Sequence, residues 1–372
     1  MQARQHFWDT LRACLMLLGI PYHVALSYRP GQTWIVRSDE GLAAFVWIAE
    51  FIHIFRMPAF FLIAGYFSAL LLTRREPVTW LRGRFVRLGI PFVATILTLV
   101  PLMNLACEFS NLAYPDAITS FLHNSAQSGG YWIRHLWFIV VLLYLSVAAA
   151  LLHQCIPALR AATLSPRLDG AIARHFLAAT VIVAVIVGVW EGGAVELFYI
   201  AGLATNLPQE ILRLDELITY APYYLIGAIL QRAPLTLARM CRLSVPIALL
   251  ATLLVGFCTI QPIPMHPATG RFFATLAAIT STQTIVAIAR EAFDRPMYWV
   301  KELTDASFVI YLLHLPIICL LVWLAQEVAI AVALKGVAIM LLTLALSYVG
   351  WRAISRNRLL SLLFDGRMRV SA

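Results

Sequence analysis

The stretch LAAFVWIAEFIHIFRMPAFFLIAGYFSALLL, Leu42 to Leu72, contains no charged side chain except Glu50 and Arg56. A helix needs about 20 apolar residues to cross roughly 30 Å of hydrocarbon, and this run exceeds that length. The excess predicts a span that is tilted, or kinked at Pro58, whose ring removes one helical hydrogen bond.

Similar blocks lie on both sides of it. Together they predict helices over 9–28, 42–72, 89–107, 134–154, 175–191, 217–231, 243–260, 272–290, 304–325 and 331–353. Of the 372 residues, 61% are hydrophobic and 13% charged, against about half and a quarter in a soluble domain. One soluble core could not bury so many such blocks. The expected fold is an all-α integral membrane protein, a bundle of about ten transmembrane helices forming a single domain over 1–372.

The net charge of +9 does not indicate nucleic acid, because the basic residues sit in short loops. With a cytoplasmic N-terminus, twenty Lys and Arg face the cytoplasm, among them Arg4, Arg82, Arg84, Arg87 and Arg369. Six face the other side: Arg29, Arg37, Arg134, Arg213, Arg271 and Lys335. That asymmetry predicts both termini in the cytoplasm. The first block carries Arg12 and His23 and has no small-residue cleavage site, so it reads as a retained helix. The six cysteines form no CxxC pair and read as small buried hydrophobes. No HExxH, P-loop or GxSxG pattern is present, so no metal or serine-hydrolase chemistry is expected.

Ionisable groups at membrane depth are costly and therefore mark function. Arg12 and His23 are eleven residues apart, close to three helical turns, which predicts one shared face with a separation of roughly 16 Å; Asp9 lies one turn from Arg12 and can pair with it. Glu50, His53 and Arg56 share a face of the second helix, and Arg56 needs an anionic partner, Glu50 or Asp9 or a ligand. Ser307, Tyr311 and His314 form a polar stripe on the ninth helix. Arg134, His135 and Trp137 open the fourth. The run Thr280 to Thr284 reads as interhelical hydrogen-bond glue. Polar and aromatic residues in the outer loops 108–133 and 192–216 suit either a sugar-facing surface or ordinary interfacial anchors.

These motifs together resemble the acyltransferase-3 family of membrane acyltransferases. The resemblance is carried by Arg12 and His23 with ten residues between them, FRMPAFFLIAGYF (Phe55–Phe67), RFVRLGIPF (Arg84–Phe92), HLWFIVVLLYL (His135–Leu145) and SFVIYLLHLPI (Ser307–Ile317), in the family's order. Ala13 stands where the family usually has glycine. The opening is most similar to members that succinylate osmoregulated periplasmic glucans. The resemblance thus implies a bacterial inner-membrane enzyme with no permanently bound cofactor, using cytoplasmic succinyl-CoA as donor and a periplasmic glucan as acceptor. Membrane lipid and other glucan-synthesis proteins are its implied partners. It implies catalytic roles for His23 as general base and for Arg56, Tyr311 and His314; donor binding at Asp9, Arg12, Arg82, Arg84 and Arg87; and substrate positioning by His53, His135, Trp137 and Ser307. A covalent acyl-histidine variant is compatible with the same residues. O-acetylation of another envelope polysaccharide, a secondary transporter and a non-catalytic partner in glucan export are the alternatives.

Overall fold

A computed structural model describes residues 6–31, 34–36, 38–260, 264–295 and 297–367. Arg4, Arg37 and Arg369, which enter the charge asymmetry, lie outside these residues. Within them the chain is helical and contains no strand. Lipid cannot hydrogen-bond a peptide group, so each segment satisfies its backbone internally as a helix.

Every expected segment is a helix. α1 (Phe7–Leu17) and α2 (Gly19–Ser27) form the first span, interrupted at Leu18. α3 (Ala43–Leu72) is one helix with Pro58 inside it. α4 (Pro77–Arg84) runs through a π-helical turn, Phe85–Gly89, into α5 (Ile90–Asn111), making a longer span than expected. The Glu76 carboxylate caps α4, accepting from the backbone N–H of Val78 at 3.0 Å and of Thr79 at 2.7 Å. Two expected outer loops are largely helical: 108–133 contains α6 (Asp116–Gln127) and α7 (Gly130–Ile133), and α10 reaches well into 192–216.

The remaining helices are α8 (Trp137–Cys155), α9 (Pro166–Arg174), α10 (Phe176–Ile200), α11 (Leu214–Leu230), α12 (Pro234–Met240), α13 (Val245–Ile260), α14 (Pro267–Phe293), α15 (Tyr298–Leu324), α16 (Val332–Arg356) and α17 (Arg358–Asp365). Among the described residues eight spans are long and apolar enough to cross a membrane, and nine if α12 and α13, bent by 63°, count as one. The chain is thus a multi-pass membrane protein. α11, with 17 residues, is shorter than these spans.

The first and last described residues, His6 and Arg367, lie at one end of the bundle. The His6 amide donates to Asp294, Thr304 Oγ1 donates to the carbonyl of Asp9, and Arg367 pairs with Asp305 at 2.9 Å. We call this the terminal end and the opposite one the distal end.

α3 and α11 touch backbone to backbone. A β-carbon on Gly65 would lie 1.9 Å from the Tyr224 carbonyl oxygen, and one on Gly227 would lie 1.8 Å from that of Leu62. Only glycine permits this approach, the usual way membrane helices maximise contact without a hydrophobic drive. In the polar run of α14, Gln283 bridges to the carbonyls of Met240 and Arg242 at 3.0 Å each, whereas Thr280 and Thr284 bond within their own helix. The glue expected there is supplied by Gln283. All six cysteines are unpaired; Cys107, Cys241 and Cys319 are buried, while Cys14 and Cys155 are exposed.

Candidate active site

A one-residue turn at Leu18 lies between Arg12 and His23. Pro21 has no N–H to give, and Leu18 (φ −59°, ψ −11°) leaves ideal α geometry, so α2 restarts as a separate helix. Gly19 sits at the joint with nothing between it and two functional side chains. A β-carbon there would lie 3.0 Å from His314 Nε2 and 3.2 Å from an Arg56 guanidinium nitrogen.

Around this joint a cavity of about 500 Å³ opens, lined by residues of α1, α2, α3, α8, α10, α11, α14 and α15 and of the segments joining them. His23, His53, Arg56, His135, Trp137, Tyr311 and His314, all singled out in the sequence, line it. The His23 and His314 rings are 5.2 Å apart, centre to centre, and those of His135 and His314 5.5 Å. His23 also stacks on Trp34 at 5.3 Å. The Tyr22 hydroxyl lies 3.3 Å from His53 Nδ1, and the Arg56 guanidinium sits 4.6 Å from the centre of the Tyr22 ring. Tyr220 and Trp137 continue an aromatic wall, Tyr220 stacking on Trp137 at 5.3 Å and on the buried Phe61 behind it at 4.8 Å.

The hydrogen bonds fix part of the chemistry. His314 Nδ1 is 2.6 Å from the Tyr311 carbonyl, an acceptor, so Nδ1 carries the proton. Nε2 is then the lone-pair nitrogen, buried without a hydrogen-bond partner among the described residues; His23 Nδ1 is also unpartnered. Tyr311 donates its hydroxyl hydrogen to the His135 carbonyl at 2.6 Å, which commits that hydrogen inside the protein.

Other expectations are redrawn. Glu50 pairs with Arg29 at 2.8 Å and Asp9 with Arg12 at 3.8 Å, so neither neutralises Arg56. Arg12 and His23 do not share a cavity. Arg12 and Asp9 line a second one, of about 300 Å³, at the terminal end with Arg295 and Lys301. Leu15 and Met16, one turn further along α1, line the first, and no residue lines both. Of the other expected donor-binding residues, Arg82 is exposed, Arg84 Nε donates to Ser146 Oγ at 3.3 Å, and Arg87 is held by Asp365 at 2.7 Å. Ser307 reaches neither cavity; it is buried and donates to the Thr304 carbonyl.

Sequence reading missed Gly19, Tyr22, Trp34 and Tyr220 as lining or shaping the main cavity, whereas Arg134, and Asp215 and Glu216 of the 192–216 stretch, were singled out and do line it. Gly19 carried a usable signal: a glycine two residues before a proline, inside an apolar span. Among the described residues no group of three His, Cys, Asp or Glu side chains is placed to hold a metal.

Comparison with known proteins follows the same direction. The profile of the acyltransferase-3 family, described as an acyltransferase domain, matches residues 5–352. Glucans biosynthesis protein C of Shigella dysenteriae serotype 1 (strain Sd197) is 40% identical over 149 residues, 38% of this chain and 37% of that protein. The protein of the same name from Escherichia coli (strain K12) is 39% identical over 149 residues, with the same coverage. The match therefore spans little more than a third of the length of these curated relatives. No solved structure matches.

Proposed function

Because this chain belongs to the acyltransferase-3 family, we propose that it moves a succinyl group from cytoplasmic succinyl-CoA to a hydroxyl of a periplasmic glucan, across a bacterial inner membrane. The observation that carries the reading is the convergence of His23, His314 and Arg56 on one polar cavity between membrane spans. The similarity to glucans biosynthesis protein C supports the acceptor class. The excess of basic residues in alternate loops supports a cytoplasmic terminal end.

In this mechanism the nucleotide end of the donor docks at the terminal end, where Arg12 lines a basic cavity, and the thioester reaches the main cavity past the single turn that separates them. The acceptor enters from the distal end, whose lining offers Asp215, Glu216 and Tyr220 to a sugar. His23 takes the proton of a glucosyl hydroxyl as its oxygen attacks the thioester carbonyl. A C–O bond forms, the C–S bond breaks, and the departing thiolate takes the proton back from the imidazolium. Arg56 stabilises the tetrahedral oxyanion. Tyr311 acts through the backbone of His135, which its hydroxyl holds, and His314 orients His23. His53 and Trp137 shape the acceptor side. Arg84 and Arg87, engaged by Ser146 and Asp365, are left out of donor binding.

Mass spectrometry of periplasmic glucans tests this, using a strain lacking the gene and complemented with wild type or His23→Ala. Succinyl-mass glucans restored by wild type alone support both the reaction and the base. Glucans that stay unchanged throughout refute the acceptor, and succinylation by His23→Ala refutes the base.

A further inference from the structure

Three arginines line the main cavity: Arg56, Arg134 and Arg271. Arg271 is neutralised by Glu196. Neither Arg56 nor Arg134 has a carboxylate partner within ion-pair distance among the described residues; Glu108 Oε1 accepts from the Tyr131 hydroxyl at 2.9 Å. An unneutralised cation between membrane helices is costly and points to a ligand anion. Two such cations next to one reaction centre call for two sources of negative charge. The tetrahedral oxyanion is one, and Arg56, beside His314 at the Gly19 joint, faces it. Arg134 remains.

Arg134 is held with unusual care. Its backbone stands at φ 45°, ψ −130°, a region that residues with a β-carbon almost never occupy. Such strain persists only where surrounding contacts over-determine it, and it collects at functional sites. The contacts are present. Arg134 Nε donates to Asn104 Oδ1 at 2.8 Å, and buried Asn104 is itself fixed by donating to the Tyr131 carbonyl at 2.7 Å. The guanidinium lies 4.5 Å from the centre of the Tyr131 ring, whose hydroxyl is anchored on Glu108. With Nε engaged, the two terminal NH₂ groups remain for a ligand, a fork that suits a carboxylate.

We infer that Arg134 is a specificity residue that binds the free carboxylate of a dicarboxylic acyl group, and so selects succinyl-CoA over donors with an uncharged acyl end. The inference rests on the acyl-transfer reading above and adds a reason for the donor class. A neutral acyl group would leave Arg134 facing an apolar chain end, which penalises that donor by displacing water from a half-buried charge without pairing it.

The test is binding of succinyl-CoA and butyryl-CoA to the full-length protein in lipid nanodiscs; butyryl has the same chain length and a methyl in place of the carboxylate. Wild type should bind succinyl-CoA at least ~10-fold more tightly, the size expected for a hydrogen-bonded charge. Arg134→Gln should weaken succinyl-CoA and tighten butyryl-CoA until the two bind about equally, and Arg134→Lys should recover part of the preference. Arg56→Gln should leave the ratio of the two donors near that of wild type. Equal binding of both donors by wild type overturns the inference without depending on any variant's folding, as does an equal loss for both in a folded Arg134→Gln. If the carboxylate preference depends on Arg134 while glucans are never succinylated, this inference stands and the acceptor assignment falls.

Discussion

Gly19 leaves just enough room for the imidazole of His314: a β-carbon at residue 19 would come within 3.0 Å of Nε2. Residues near the two ends of the chain are thus packed without slack at the centre of the site. Gly19→Ala gains about 0.5–1 kcal/mol of helix propensity, roughly offsetting the crowding, so the melting temperature should change little. The few tenths of an ångström that His314 and Arg56 must give are enough to misalign the site, and glucan succinylation should fall by about tenfold or more. A wild-type rate in Gly19→Ala would show that His314 has no fixed place in the reaction.

Arg12 and His23 line different cavities, so their substitutions should separate kinetically. Arg12→Ala should raise KM for the acyl donor by about tenfold with kcat nearly unchanged, the pattern of lost ground-state binding. His23→Ala should lower kcat by at least ~10², the usual weight of a general base, with expression and melting temperature near wild type. Steady-state kinetics with purified protein distinguish the two patterns.

The close approach of α3 and α11 makes Gly65 and Gly227 structural. At 1.8 Å from a backbone oxygen, a new β-carbon at residue 227 cannot be accommodated by rotating a side chain, so the helices must part. Gly227→Ala should destabilise by about 3 kcal/mol or more, the upper range for overpacking. Thermal unfolding in detergent measures it, and a melting temperature equal to wild type would mean that the two helices separate at no cost.

Asp169 ties α9 to the start of α12, outside the spans. It accepts from the backbone N–H of Leu235 at 2.9 Å and of Thr236 at 2.8 Å, and from the Thr236 hydroxyl at 2.6 Å. Burial pushes its pKa up, but the hydrogen bonds from Thr236 and Leu235 outweigh it and leave the carboxyl below the usual carboxylate range. A lowered folded pKa contributes stability that is complete above the unfolded pKa and is lost as pH falls through the folded one. Wild type should therefore lose melting temperature on acidification below the ordinary aspartate range. Asp169→Asn should be about 1–3 kcal/mol less stable at neutral pH, the cost of a poorly satisfied buried site, and should show less of that acid loss.

The membrane spans were legible because each is a long apolar run, and hydrocarbon thickness leaves little choice of length. Shorter elements were not. α4, α6, α9 and α17 have no apolar run long enough to register, and α6 turned an expected loop into a helix. Spacing along one helix brought Tyr311 and His314 correctly to the cavity but gave no depth, so Ser307 on the same stripe ended among buried backbone. Arg12 and His23 line different cavities because the roughly 16 Å between them along the span carries them to different depths, which spacing on one face does not reveal. The partners of Arg56 could not be read at all, since they come from helices that only tertiary packing brings near.

The partition between the two cavities has an electrical consequence. A bundle hollowed from both ends is almost a pore, and an energised membrane would drive protons through any continuous thread of water. Along α1 one helical turn, about 5.4 Å, separates Arg12 from Leu15 and Met16, so most of the membrane voltage would fall across that short layer. On the proposed route Leu15, almost fully buried, and Met16 beside it would act as insulation, and the flexible thioether of Met16 would yield to a passing acyl chain and close behind it.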